Sequence, residues 1–65
     1  MKSKVRYINY HGVESNEILK AEPYEAIKFI CKLRNITFEA SRLIGIKNGF
    51  EYSFDNKNII QAYQI

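Results

Sequence analysis

The sequence contains few of the residues that cross-link small proteins or act in catalysis. Cysteine and histidine occur once each, as Cys31 and His11, so a single chain can form neither an intramolecular disulfide nor a closed zinc site. A nucleophilic triad would also lack a base, because the only histidine stands beside Gly12 in a predicted turn. We therefore predict a protein that is not an enzyme and that holds no metal and no other cofactor.

Long apolar runs and targeting signals are lacking as well. No stretch approaches the roughly 18 apolar residues of a membrane span. The basic N-terminal segment, residues 1 to 4, is not followed by an apolar segment as in a secretory signal. With one unpaired cysteine, these absences favour the cytoplasm and no membrane partner. Isoleucine, lysine and asparagine are abundant, which is typical of AT-rich genomes and favours a low-GC bacterium, its phages or its mobile elements.

The length of 65 residues bounds the chain to a single small domain, residues 1–65. A chain of this size buries only about 60% of the surface that it exposes when unfolded, so its stability is marginal. Stability must come from packing, helped by 14% aromatic residues, or from self-association. The net charge of +3 is a mild bias, and a positive surface requires local clustering of the basic residues.

The clearest predicted helix spans residues 23 to 35. Pro23 suits the first helical position, and polar residues fall on one narrow stripe that includes Lys28 and Lys32. Apolar residues fill the rest of the circumference, which is typical of a helix packed on more than one side. We therefore place this helix at the centre of the domain.

The C-terminal third predicts a β-hairpin. Phe50, Tyr52 and Phe54 alternate with polar residues, a polar turn follows at 55 to 58, and a β-rich run closes the sequence. Residues 5 to 10 predict a further strand, whereas residues 13 to 21 are ambiguous, with either a short helix at 17 to 21 or a short strand at 18 to 21. The fold class is therefore α+β, with the helix packed on an antiparallel sheet. The largest core side chains are expected at six positions: Ile27, Ile30, Leu33, Phe50, Tyr52 and Phe54.

Residues 37 to 46 support two interpretations. As a strand, they would join the next strand through a three-residue loop with Gly49 in the left-handed conformation, pairing Ile46 with Phe50 and Ile44 with Tyr52. As a helix, they would open a helix-turn-helix, although the alternating residues 50 to 54 make a poor second helix. A short helix followed by the hairpin is compatible with both interpretations.

Two non-catalytic functions follow from these patterns. The first is a protein-binding module, an inhibitor or regulator that acts by occupying the surface of a partner protein. The alternative is a small nucleic-acid-binding protein with a winged-helix arrangement, in which basic and aromatic side chains contact phosphates and bases. The candidate binding residues are Lys28, Lys32, Arg34, Arg42, Lys47 and Tyr63.

The last predicted strand also suggests a homodimer. Residues 58 to 65 contain no charged side chain and no proline, so they lack the features that normally protect a strand edge from pairing with another chain. If residues 5 to 10 do not cover that edge, the same strand of a second molecule can. The candidate self-association residues are Ile60, Ala62 and Gln64.

Overall fold

A computed structural model confirms the α+β fold. It describes residues 1–9, 11–55 and 58–65, with only the backbone at 13 and 14. Five antiparallel strands form one sheet in the order β2-β1-β5-β4-β3, and one α-helix packs on one face of it. The elements follow one another as β1 (Ser3–Asn9), β2 (Gly12–Leu19), α1 (Pro23–Leu33), a 3₁₀ turn (Ala40–Arg42), β3 (Leu43–Ile46), β4 (Gly49–Ser53) and β5 (Ile59–Gln64).

Strand β5 lies at the centre of the sheet. On one side it pairs with β1, where Val5 faces Ala62, and on the other with β4, where Tyr52 faces Ile60. Both of its edges are therefore occupied within the chain, and the prediction that a second molecule pairs with a free edge of this strand is wrong. Of the two partners considered for that edge, the N-terminal strand of the same chain is the one present.

Helix α1 begins and ends at sequence signals. Pro23 is its first residue, as predicted, and the helix ends two residues before the predicted position 35. There Asn35 adopts a left-handed conformation with φ of 58°, which lets its N–H donate to the Lys32 carbonyl and the N–H of Ile36 donate to the Cys31 carbonyl. These two bonds form a Schellman motif, which satisfies the last free carbonyls of the helix and turns the chain.

The core lies between α1 and the facing side of the sheet. Of the six predicted core residues, Ile27, Ile30 and Tyr52 are buried, and Phe50 and Phe54 are half-buried against them. Leu33 is 66% exposed, so its placement in the core is wrong. The helix packs on one sheet only, which leaves part of its broad apolar arc in solvent. Val5, Ala26, Cys31, Ile60 and Ala62 complete the buried set.

The hairpin of β3 and β4 is present, but its predicted register is wrong. Leu43 pairs with Tyr52 and Gly45 with Phe50, around a two-residue turn. It is Asn48, with φ of 64°, and not Gly49 that takes the left-handed conformation. Because paired residues share a face of the sheet, this register moves the side chains of Ile44 and Ile46 to the face opposite α1.

The remaining ambiguous segments resolve as strands and turns. Within residues 13 to 21 the strand alternative, placed at 18 to 21, is right in type but not in position, since the strand spans Gly12–Leu19. In residues 37 to 46 the strand is confirmed for Leu43–Ile46, and only the short turn Ala40–Arg42 is helical. Among the described residues α1 is the only α-helix, so the winged-helix arrangement, which requires a helix pair in this region, is wrong. The N-terminal strand is confirmed over Ser3–Asn9, whereas its predicted last residue, Tyr10, lies outside the described residues.

Ile30→Ala is expected to destabilise the protein strongly. Ile30 is 4% exposed, and removing a buried isoleucine side chain costs about 2–5 kcal/mol, which is a large part of the stability of so small a domain. Leu33→Ala is the matched control on the same helix, with an expected change within about 0.5 kcal/mol. Chemical denaturation monitored by circular dichroism measures both. Equal stability of the two variants would contradict the described core.

Gly49→Ala is expected to destabilise the sheet. A Cβ atom at this position would lie 1.9 Å from the carbonyl oxygen of Ala62 in the neighbouring strand, so the backbones of β4 and β5 would have to separate. Such overpacking costs about 1–3 kcal/mol or more. Gly45→Ala is the control, since a Cβ there meets nothing within 4 Å. Comparable melting temperatures for the two variants would show that β4 and β5 do not approach as closely as described.

Candidate functional site: an exposed patch on the helix

One flank of α1 is covered by aromatic side chains. The ring of Tyr24 packs edge-on against Phe38, with 5.7 Å between centroids, and against Phe50, at 6.0 Å. Phe38 in turn stacks on Tyr52 at 5.1 Å. This cluster fills the space between the helix and the strands β3 and β4, so this flank offers little free apolar surface.

The hydroxyl of Tyr52 fixes the segment that carries Phe38. It donates a hydrogen bond to the Thr37 carbonyl at 2.9 Å and accepts one from the Glu39 backbone N–H at 2.8 Å. The Tyr52 side chain is fully buried, and buried polar groups stabilise a fold only when they are paired in this way. The segment between α1 and β3 is therefore held beside the helix although it has no regular secondary structure.

The opposite flank of α1 is open. Phe29 and Leu33 lie one helical turn apart and are 52% and 66% exposed. Lys28 and Lys32 are exposed with the same spacing. They lie between Phe29 and the aromatic flank, where the Lys28 ammonium is 5.5 Å from the centroid of the Tyr24 ring. Residues three or four apart are neighbours on a helix surface, so the four side chains form one contiguous surface with an apolar half and a cationic half. The exposed carboxylate of Glu25 borders both halves. We call Lys28, Phe29, Lys32 and Leu33 the helix patch.

Three shallow depressions meet at Phe29. One of about 400 Å³ extends past Lys28 and Lys32 towards Ile36 and Phe38. A second of about 330 Å³ runs towards Leu19 and Ala21, and a third of about 390 Å³ lies between Phe29 and Leu33. Phe29 therefore stands as a raised apolar side chain with concave surface around it, which is a shape that a complementary surface can surround.

Lys28 and Lys32 are the only members of the predicted binding set that lie together in the helix patch. Arg34 is the C-cap residue of α1. Its guanidinium lies 3.8 Å from the centroid of the Tyr7 ring in β1. That contact accounts for an arginine within the apolar arc, because a guanidinium stacks favourably on an aromatic face. The two roles considered for Arg34, bonding to the last helix carbonyls and marking a partner surface, stay predictions.

The other three predicted binding residues are dispersed. Arg42 forms an ion pair with Glu39 at 2.6 Å and donates to the Phe54 carbonyl at 3.1 Å. Lys47 is exposed in the turn between β3 and β4, and Tyr63 lies on the sheet face opposite the helix, in register with Lys4. The predicted set therefore does not converge on one site.

Two of the three predicted self-association residues are inaccessible. Ile60 and Ala62 are fully buried beneath α1, so neither can contact a second molecule. Gln64 is exposed at the end of β5, where its backbone N–H donates to the Asn48 carbonyl at 2.8 Å. Alternation along β5 directs residues 60, 62 and 64 towards the helix.

Sequence reasoning missed Phe29 and Leu33 as surface residues. Both were counted in the apolar circumference of the helix. The width of that circumference was the available signal, because an apolar arc that wide is more than one sheet face can cover.

Groups suited to metal binding do not converge in the described part of the chain. No three histidine, cysteine, aspartate or glutamate side chains lie close enough to hold a metal ion among those residues. Cys31 is buried, and this burial raises the pKa of its thiol above the ordinary value. A separate observation concerns membranes, since no helix in the described ranges has the length and apolar character to cross one.

Comparison with known proteins identifies no related family or protein, so the function is argued from the geometry of the described residues. Neither the protein-family models nor the curated proteins nor the solved structures contain a match to this chain.

Cys31 is expected to react slowly with thiol reagents. The thiolate is the reactive form, and both the raised pKa and the burial of the side chain limit it in the folded protein. With Ellman's reagent at pH 8, we expect the native protein to react at least about tenfold more slowly than the chain unfolded in guanidinium. Fast native reaction that persists well below pH 8 would reveal an activated thiolate and would contradict the prediction that the protein is not an enzyme.

Proposed function

We propose that this chain is a small protein-binding domain that docks its helix patch onto a partner protein. It would act as an inhibitor or regulator by occupying the partner's surface, without catalysis. The observation that carries the proposal is the exposure of Phe29 and Leu33 beside Lys28 and Lys32. Contiguous apolar surface with a polar rim is typical of interaction sites.

The apolar half of the patch supplies affinity. Complete burial of a phenylalanine or leucine side chain contributes about 1.5–3 kcal/mol, and each of these two side chains is already partly covered. Two such anchors would contribute a few kcal/mol against the cost of association. The depressions around Phe29 add shape, since they let a partner contact the ring from several sides.

The cationic half of the patch indicates the chemistry of the partner. Lys28 and Lys32 lie on one side of the apolar pair, so a complementary surface would carry an apolar pocket with carboxylates along one edge. Opposite charges at the rim of an interface chiefly raise the association rate and select the partner. The scattered positions of Arg42 and Lys47, one of them already paired with Glu39, argue against a continuous groove for a nucleic-acid backbone.

Removing the apolar anchors is expected to abolish partner binding without unfolding the chain. The test is affinity capture from a lysate of the source organism, with nuclease present, comparing the parent with Phe29→Ser combined with Leu33→Ser. Ile44→Ser is the matched control, because Ile44 is 54% exposed but lies on the opposite face of the sheet. We expect at least one protein whose recovery falls about tenfold or more in the double variant and remains in the control.

A second variant separates the charge from the apolar contact. Lys28→Glu with Lys32→Glu should change the free energy of unfolding by at most about 0.5 kcal/mol for each substitution, while slowing association with a purified partner. The proposal would be contradicted if both double variants captured the same proteins as the parent. It would also be contradicted if the parent's only captured material disappeared on nuclease treatment, which would indicate a nucleic-acid binder.

A further inference from the structure

The sheet face opposite α1, which we call the outer face, has an apolar and charged pattern of its own. Register places six large apolar side chains there: Ile8, Ile18, Ile44, Ile46, Ile59 and Tyr63. Ile18 and Ile44 are strongly exposed and the others are half-buried. No described element packs over this face, since α1 contacts the other one. A second layer is what an apolar sheet face ordinarily packs against.

Among the charged residues of the outer face, Arg6 and Glu51 lie symmetrically about β5, whereas Lys4 has Gly49 at the equivalent position on β4. Arg6 and Glu51 both pair with Gln61, one from each neighbouring strand, so they stand in one row on opposite sides of the central strand. The Gln61 side-chain amide donates to the Glu51 carboxylate at 2.8 Å. Among the described residues the half-buried Arg6 guanidinium has neither an ion-pair nor a hydrogen-bond partner.

We propose that two copies of this chain pack outer face to outer face about a twofold axis that runs along β5. Rotation by 180° about such an axis turns the second sheet over and exchanges the positions of the strands on either side of β5. Strand β1 of each copy therefore lies over β4 of the other. Arg6 of one copy then meets Glu51 of the second copy, and the same pair forms again on the other side of the axis. An isologous interface requires this kind of self-complementarity.

The charges select this axis over the other face-to-face choice. A twofold axis in the sheet plane but perpendicular to the strands would place β1 over β1, with Lys4 and Arg6 of both copies opposed. Opposed like charges are unfavourable at an interface. Of these two axes, the one along β5 joins each Arg6 to a carboxylate.

Apolar residues also meet under the same rotation. The edge strand β2 of one copy lies over the edge strand β3 of the other, which brings Ile18 against Ile46, because both residues share the row of Tyr63 and Lys4. Ile59 and Tyr63 lie on the axis strand and meet their own equivalents. Two sheets stacked in this way pack about 10 Å apart, with side chains interleaved.

The area of the outer face sets the expected strength of the dimer. Five strands spaced about 4.8 Å, with rows of outward side chains over about 20 Å, give about 500 Å² for each copy, or about 1,000 Å² in total. This is at the lower limit for a specific interface. Association is therefore expected in the micromolar range or weaker, with a molecular mass that depends on concentration. The proposal goes beyond partner binding by the helix patch, which remains free on the far side of each copy.

Charge reversal on each side of the interface tests the proposal. Arg6→Glu and Glu51→Arg each place like charges together in a homodimer, and each alone is expected to weaken dimerisation at least about tenfold relative to the parent. Mixed in equal amounts, the two variants should associate again as a heterodimer, because every opposed pair is then of opposite sign. Sedimentation equilibrium from about 5 μM to 1 mM measures the masses, and circular dichroism melts establish that each variant is folded.

Lys32→Glu and Glu25→Arg are matched controls, since they make the same charge changes on the exposed surface of α1 and should dimerise like the parent. The proposal is overturned if the parent has the mass of one chain at every concentration, which would leave the outer face to a different protein. It is equally overturned if folded Arg6→Glu and Glu51→Arg dimerise like the controls, or if their mixture stays monomeric. These outcomes are independent of capture by the helix patch, which the Ile44→Ser control already separates from the outer face.

Discussion

The double pairing of β5 is the constraint on which the rest of the structure depends. Its hydrogen bonds to β1 and β4 join an N-terminal hairpin to a C-terminal group of strands that otherwise share no ladder. Helix α1 lies across this junction, with Ile27 and Ile30 buried over Ile60 and Ala62. Small residues permit the close fit, since Ala62 is fully buried and Gly49 approaches its carbonyl without a Cβ atom. Both proposed binding surfaces exist because this arrangement leaves one sheet face and one helix flank uncovered.

Local features of the fold were predictable from the sequence, and features set by distant contacts were not. Pro23 and the alternation from Phe50 to Phe54 are short-range signals, and the helix and strand that they predicted are present. The polar turn predicted at 55 to 58 includes residues 56 and 57, which lie outside the described residues. The register of β3 on β4 depends instead on Gly49 lying against Ala62 in a third strand. A glycine after Asn48 fits a three-residue loop equally well when only the sequence is considered. The difference of one residue reverses the face on which Ile44 and Ile46 lie.

For the helix patch, the sequence predicted the exposed charged residues but not the exposed apolar ones. Lys28 and Lys32 fall on the exposed helix stripe as their spacing indicates, but periodicity does not reveal how many layers cover an apolar arc. Phe29 and Leu33 were therefore assigned to a second packing surface that is absent around the described helix. Residues 58 to 65 also lack the charges that protect a strand edge, but the reason is the central position of β5 and not pairing with a second molecule. A strand with a neighbour on each side and a helix above it needs no protection at its edge.

The pairing of β1 with β5 has a consequence for synthesis of the protein. Ser3 and Gln64 are direct partners, so β1 pairs with a strand that is synthesised after all the other described strands. Until residues 59 to 64 emerge, the β1–β2 hairpin carries an open edge on β1. Contacts so distant in sequence form slowly, and exposed strand edges on incomplete chains favour aggregation. Cells that produce this protein in quantity would therefore benefit from a chaperone that shields the nascent β1 strand.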